Sequence, residues 1–227
     1  SINTVAVKLS ENIGRENVIK MARSLGISSP ILNSPSLALG TSEVNLLELT
    51  AAYDVLANKG KGVLVHGIRS IENTEGKTLF IRKGNGPGKV LDTGLVSTMT
   101  RMMENTIEVG TGKNAKLNRP AAGKTGTSQS LRDAWFIGFT SDLVVGVWFG
   151  NDDDSPMKNI TGGTAPAILW SDFMKKAHLG KPAEQLTTSS DNINRIKNRD
   201  KIDKLIKKSK ELDRKKNVFE TILENFF

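Results

Sequence analysis

Residues 120–129 read Pro-Ala-Ala-Gly-Lys-Thr-Gly-Thr-Ser-Gln, and two chemistries compete for them. The first is a phosphate-binding loop, which ends in Gly-Lys-Thr, carries a glycine five positions earlier and opens a helix whose N-terminal amides face the phosphates. Here the earlier position is Asn118, and Lys124 is followed by Thr-Gly-Thr-Ser-Gln and a β-rich run instead of an amphipathic helix. That excludes a phosphate loop of this kind at Lys124. The second chemistry is that of a strand. Alternation puts Lys124 and Gly126 on one face, with Thr125 and Thr127 on the other. The missing side chain at Gly126 lets another backbone come close. On an edge strand this is a place for an extended peptide to dock by main-chain hydrogen bonds. The Lys124 ammonium and the two threonine hydroxyls suit a carboxylate, so the combination would take a peptide's free C-terminus. Taken alone, the tetrapeptide also reads as an ordinary strand with Lys124 in solvent.

Other residues offer chemistry that their surroundings do not support. Ser155-Pro156-Met157-Lys158 has the Ser-x-x-Lys spacing and Ser190-Asp191-Asn192 the Ser-x-Asn spacing, so with Lys124 they form a nucleophile set in permuted order. A nucleophile and a lysine three apart must share a helix face. Ser155 follows an acidic turn, however, and Asn-Ile-Thr-Gly-Gly comes directly after Lys158, so both matches read as accidents of composition. Counting a calcium loop from Asp152 puts Met157 where glycine is required, so 151–156 read as a solvated turn. His66 and His178 are the two histidines and share no motif with a serine, which leaves a Ser-His-Asp triad unsupported. With no cysteine, disulfides, zinc-thiolate sites and thiol nucleophiles are excluded. No metal or cofactor is expected.

The elements that must position Lys124–Thr127 follow from periodicity and caps. Val18, Met21, Ala22 and Leu25 form one stripe of a helix over 15–25, closed by Gly26. Asn45 and Glu48 stand at the capping-box spacing before a helix that runs through Tyr53 and Leu56 and stops at Gly60. Residues 63–72 and 78–82 read as strands around Asn-Thr-Glu-Gly-Lys. A third helix spans 93–108, with Leu95, Met99, Met102 and Met103 as core filling on one face. Residues 133–150 are two β-rich runs split by Thr-Ser-Asp, and a helix over 165–179 has Pro166 near its start and Gly180 at its end. Helices mixed with hairpin-like strands predict an α+β layered fold.

Longer stretches carry a family resemblance. Residues 119–129, 132–153 (Arg-Asp-Ala-Trp-Phe-Ile-Gly-Phe through Asn-Asp-Asp), 35–60 (Pro-Ser-Leu-Ala-Leu-Gly through Asn-Lys-Gly) and 1–14 (Ser-Ile-Asn-Thr-Val through Ile-Gly) lie in order and without large gaps. Over about 1–175 the chain resembles the transpeptidase domain of penicillin-binding proteins, especially the class A, bifunctional type. The resemblance implies a central antiparallel sheet flanked by helices, the penicillin-binding/serine β-lactamase-like fold, here incomplete at the N-terminus. It also implies a serine that forms an acyl-enzyme with a D-Ala-D-Ala stem peptide, through the motifs Ser-x-x-Lys, Ser-x-Asn and Lys-Thr-Gly. Ser1-Ile2-Asn3 fits the second motif and Lys124-Thr125-Gly126 the third. By resemblance Ser1 shuttles a proton to the leaving amine, Asn3 holds the substrate amide, and Lys124 biases the Ser1 hydroxyl. Thr125 and Thr127 grip the substrate carboxylate across Gly126, and the Thr127 N–H is half of an oxyanion hole. The first motif is not found in family order, so the nucleophile is expected upstream and the chain alone is expected to be inactive.

The domains expected are a transpeptidase part over 1–180, a linker over 181–190 and a basic tail over 191–227. Net charge is +8, and the tail holds eleven Lys/Arg against seven Asp/Glu. This favours anionic partners without choosing among them, and the tail is either a solvated extension or an amphipathic membrane contact with Val218, Phe219, Ile222, Leu223 and Phe226 on one face. The resemblance implies stem peptides and β-lactams as partners and no nucleic acid. It also implies a place at the bacterial cytoplasmic membrane, on its extracytoplasmic side, through an anchor outside these residues. The alternative is a non-catalytic remnant or interaction module that keeps a peptide-docking strand.

Overall fold

A computed structural model describes residues 2–84 and 86–186. Ser1, the permuted Ser190-Asp191-Asn192, the end of the expected linker and the expected tail 191–227 lie outside the described residues. The order of elements is α1 (Asn3–Ile13), α2 (Arg15–Ser24), a 3-10 turn (Pro35–Leu39), α3 (Leu46–Ala57), β1 (Ser70–Glu72), β2 (Thr78–Ile81), α4 (Thr93–Glu108), β3 (Ala122–Thr127), β4 (Asp133–Phe139), β5 (Val144–Gly150) and α5 (Ala165–Ala177). Strands β3, β4 and β5 form an antiparallel sheet in that order, and β1 with β2 forms a separate hairpin.

The three-stranded sheet is buried on both faces, and its alternation decides which element covers which face. Phe136 and Gly138 face α5, where the Trp170 ring meets Phe136 edge-on at 5.1 Å and Trp170 Nε1 donates to the Val145 carbonyl at 3.1 Å. Met174, Ala167 and, from α4, Ile107 complete this cluster. On the opposite face Phe139 and Ala122 pack with Met103, Tyr53 and Leu56. Helix α3 crosses that face so closely that a Cβ at Gly146 would lie 2.1 Å from Thr50 Oγ1. The sheet is thus a central layer between α5 and α3.

Helix α3 starts where the capping box places it. The Asn45 side chain accepts from the Glu48 N–H, and the Glu48 carboxylate accepts from the Asn45 N–H. Glu48 is nevertheless 8% exposed, because the same carboxylate also takes the N–H and hydroxyl of both Ser28 and Ser29. Burial pushes its pKa up, but the donors of Ser29 and Ser28 outweigh burial and hold the group at about 2. One N3 glutamate therefore fixes both a helix start and the loop after α2.

Three expectations change against the structure. Residues 63–69 are not strand: the pairing with β2 begins only at Ser70, opposite Ile81, and the chain before it lies against residues 86–90 through a bond from the Gly62 N–H to the Gly88 carbonyl. Leu95, Met99 and Met102 are 63%, 45% and 56% exposed, so of the expected core stripe only Met103 is buried. The amphipathic stripe was real, but α4 meets the sheet along Val96, Thr100, Met103 and Ile107 instead. Helix α2 buries none of its residues, and Met21 is exposed.

Removing the Glu48 carboxylate leaves up to five donors without their acceptor. Glu48→Ala is expected to cost about 1–3 kcal/mol in urea unfolding at pH 7. The folded pKa lies below the unfolded value of 4.5, so the contribution is complete above pH 4.5 and is lost as pH falls toward about 2. The gap between wild type and variant should therefore narrow across that window, and a constant gap would refute the assignment.

Candidate functional site

Among the described residues, strand β3 has one strand neighbour, β4, and its other edge carries no strand. Its ladder fixes which groups point outward. Register pairs Lys124 with Ile137, Gly126 with Trp135 and Thr127 with Ala134, and one step further the Ser128 N–H donates to the Asp133 carbonyl at 3.0 Å. In an antiparallel pair the hydrogen-bonding residues alternate. Ser128, Gly126 and Lys124 therefore bond to β4, while Thr127 and Thr125 direct N–H and C=O toward the free edge. The Lys124 ammonium curls to this edge as well, with Nζ donating to the Thr125 carbonyl at 2.7 Å.

Lys124 lies on the α3 face, in a row with Ile137 of β4 and Gly146 of β5. It is half-buried, and desolvation pushes its pKa below that of a free lysine. In the next row Gly126 faces Trp135, whose ring lies 6.2 Å from that of Trp148. Trp148 Nε1 is tied to Asp133 Oδ1 at 2.9 Å.

The threonine hydroxyls lie on the opposite face and meet the fold itself. Thr125 Oγ1 is 2.6 Å from Thr111 Oγ1, which stands in the loop after α4. Thr127 Oγ1 accepts the Gly162 N–H at 3.0 Å, and because it accepts there its own proton remains available to donate. The backbone that comes close to Gly126 is that of Gly162 in this same chain. A Cβ at Gly162 would lie 2.3 Å from the Trp135 carbonyl oxygen and 2.4 Å from that of Gly126. Asn114 Nδ2 donates to the Gly163 carbonyl at 2.7 Å and braces this loop just before α5 begins.

Lys124, Thr125, Gly126 and Thr127 are thus brought together on six residues of strand. Asn3 opens α1 at an exposed position. Ser155 sits in the turn after β5, where Asn151 Nδ2 donates to its hydroxyl and Asp153 accepts its N–H, and no helix joins it to Lys158. His66 is exposed, with Nδ1 against the Leu64 carbonyl, whereas His178 is buried between the Met174 carbonyl and Thr140 Oγ1. Sequence reasoning missed Thr111, Asn114 and Gly162 as supports of β3. The Gly162-Gly163 pair ahead of a proline-marked helix start was the available signal for a close backbone approach.

Residues 1–175 match the penicillin binding protein transpeptidase domain. Over 197 residues the chain is 36% identical to penicillin-binding protein 1A of Aquifex aeolicus, a match that covers 85% of this chain and 27% of that protein. Penicillin-binding protein 2D of Bacillus subtilis is 33% identical over 191 residues, covering 80% and 27%. Among solved structures, penicillin-binding protein 1A from Haemophilus influenzae superposes with a TM-score of 0.72 at 24% identity, over 81% of this chain and 34% of that one. Penicillin-binding protein A from Mycobacterium tuberculosis, solved as an imipenem acyl-enzyme complex, gives 0.64 at 21% identity, over 76% and 45%. The chain shares their fold and spans 27% of the length of both curated relatives.

Gly162→Ala tests the support of β3. Its methyl has no room against the Gly126 and Trp135 carbonyls, so the loop must lift and the Thr127 hydroxyl loses its N–H. The expected loss is about 1–3 kcal/mol in urea unfolding, and an unchanged midpoint would show that the loop is not packed on β3.

Proposed function

The chain belongs to the penicillin-binding protein transpeptidase domain family, and from that premise we propose that it is part of a peptidoglycan D,D-transpeptidase that works through a serine acyl-enzyme. The observation that carries this reading is the edge of β3 without a strand partner, where the outward N–H of Thr127 stands three residues along the strand from a partly desolvated Lys124. A stem peptide ending in D-Ala-D-Ala docks along this edge in extended form, its main chain bonding to the outward groups of Thr125 and Thr127. The Thr127 N–H supplies half of an oxyanion hole, worth about 3–4 kcal/mol in comparable sites. The Thr127 hydroxyl, held as an acceptor by the Gly162 N–H, keeps a proton for the substrate's terminal carboxylate, and Thr125 joins it.

The acylated serine comes from a segment outside these 227 residues. The family-order Ser-x-x-Lys is not among them, and Ser155 and Lys158 lie in a turn where they cannot share a helix face. Its hydroxyl attacks the penultimate D-Ala carbonyl, the C–N bond breaks, and the released D-Ala amine takes a proton through Ser1. Asn3 holds the substrate amide, and Lys124 lowers the cost of moving that proton by its charge. An amine of a neighbouring stem peptide then displaces the serine and closes the cross-link. β-Lactams acylate the same serine. This work takes place on the extracytoplasmic side of the bacterial cytoplasmic membrane. No helix of the described residues is long and apolar enough to cross a membrane, and the reading puts the anchor in the segment that brings the serine. The fold is compatible with a partial domain: Ile2, Val5, Leu9 and Ile13 of α1 and its first turn present an exposed apolar stripe.

Intact mass measurement after incubation with benzylpenicillin separates the readings. The parent polypeptide should gain one adduct, and this chain alone should gain none. Lys124→Ala in the parent should slow acylation by about 10²-fold or more. An adduct on this chain at Ser155, or unchanged acylation in the Lys124 variant, would overturn the assignment. A parent that takes no adduct would favour a non-catalytic interaction module.

A further inference from the structure

A second concentration of charge lies away from β3, between the end of α3 and the strap that follows β2. Lys61 and Lys89 stand directly opposite each other in an isolated antiparallel bridge. Like charges placed this way repel. Arg82, half-buried, lines the same cavity with them and with His66, Gly86 and Gly88. Lys89 has a carboxylate partner, Asp92, at 3.1 Å on the exposed rim. For Lys61 and Arg82 no ion pair exists among the described residues. The fold holds the backbones that carry these cations close together. Gly60 has φ +86 and its position leaves no room for a Cβ, which would fall 2.3 Å from the Leu91 carbonyl oxygen, and Gly86 is pressed equally hard on the Gly62 carbonyl. The Val90 and Leu91 N–H groups both donate to the Gly60 carbonyl and lock the strap onto the end of α3.

We propose that this cavity is a binding site for a phosphate-bearing anion. A guanidinium fork beside two ammonium groups is a donor set suited to a multiply charged tetrahedral anion. The main-chain N–H groups of Gly86 and Gly88 make no backbone hydrogen bond among the described residues, and glycine-rich strap amides of this kind cradle phosphate oxygens. The cavity, about 570 Å³, has room for a phosphate ester or a diphosphate carrying an organic group. A lipid headgroup and a soluble phosphate ester share this chemistry. The proposal is independent of the acyl-transfer reading and stands if that reading fails.

The test uses the full 227-residue chain with two probes: inorganic pyrophosphate, followed by calorimetric titration, and phosphatidylglycerol vesicles beside phosphatidylcholine vesicles, followed by co-sedimentation. Lys61→Gln/Arg82→Gln is compared with Lys20→Gln/Lys113→Gln, which removes the same charge at exposed positions elsewhere. The site variant should bind at least one probe about tenfold more weakly than the control variant, with an unchanged thermal midpoint. A loss for pyrophosphate assigns a soluble phosphate, and a loss confined to vesicles assigns a headgroup. Equal losses in both variants would show that net charge alone attracts the probes, and absence of binding to either probe would also overturn the proposal. If the double variant melts early, Lys61→Gln alone, at an exposed position, is expected to weaken binding about threefold, and no weakening there would count against the site.

Discussion

The candidate site depends on one constraint: β3 must keep part of one edge open while β4 holds its other edge and the loop before α5 covers one face. An edge strand with free N–H and C=O groups invites pairing with any extended chain. Here that exposure is confined to the Lys124–Thr127 end, because Ala122 and Gly123 are buried where α4 packs on the strand. The inner edge is consumed by β4 and the α5 side by the Thr161–Thr164 loop. What remains open is a short run of main-chain donors and acceptors held in fixed register, which suits recognition of a peptide terminus.

The supports of that strand show why its polar groups keep their positions. Thr125 and Thr127 do not dangle from the sheet. Each is tied from behind, one by Thr111 and the other by the Gly162 amide, and both ties come from segments that join the helices to the sheet. The Thr127 hydroxyl, which accepts the Gly162 N–H, still has a proton to give. Lys124 is different in kind. Its ammonium is partly desolvated, an arrangement that disfavours the charge, and it donates to the Thr125 carbonyl. Charged groups kept at such a cost cluster at functional sites.

Glu48 and Lys124 contrast as partly buried charges: one is surrounded by donors and the other is desolvated. Glu48 is buried but surrounded by donors from Ser28, Ser29 and Asn45, so its ionised form is favoured and it stabilises the loop it binds. The cations at Lys61, Arg82 and Lys89 resemble neither. They are gathered by backbone geometry alone, through the closeness of Gly60 to Leu91 and of Gly62 to Gly86, with one carboxylate among three positive charges. Elsewhere the surface carries apolar stripes on α1 and on α4, where Leu95, Met99 and Met102 face outward. Patches of that extent ordinarily have a partner surface.

Local signals determined much of this protein. The Asn45–Glu48 capping box, the glycine after α5 and the β-rich runs on either side of Thr140–Asp142 placed two helices and a hairpin close to where they lie, because caps and alternation act within a few residues. The same local logic identified Lys124–Thr127 as a strand and put Lys124 on the face opposite the threonines. Only the tertiary structure decided what depends on partners distant in sequence. Residues 63–68 had strand-like composition but no strand to pair with among the described residues, and Met99 and Met102 had helical spacing but no sheet in front of them. The Thr111–Thr125 contact joins residues fourteen apart and the Gly162–Thr127 bond residues thirty-five apart. Periodicity reports which face of an element is apolar or polar. Which of those faces meets another element, and which edge stays open, is set by packing.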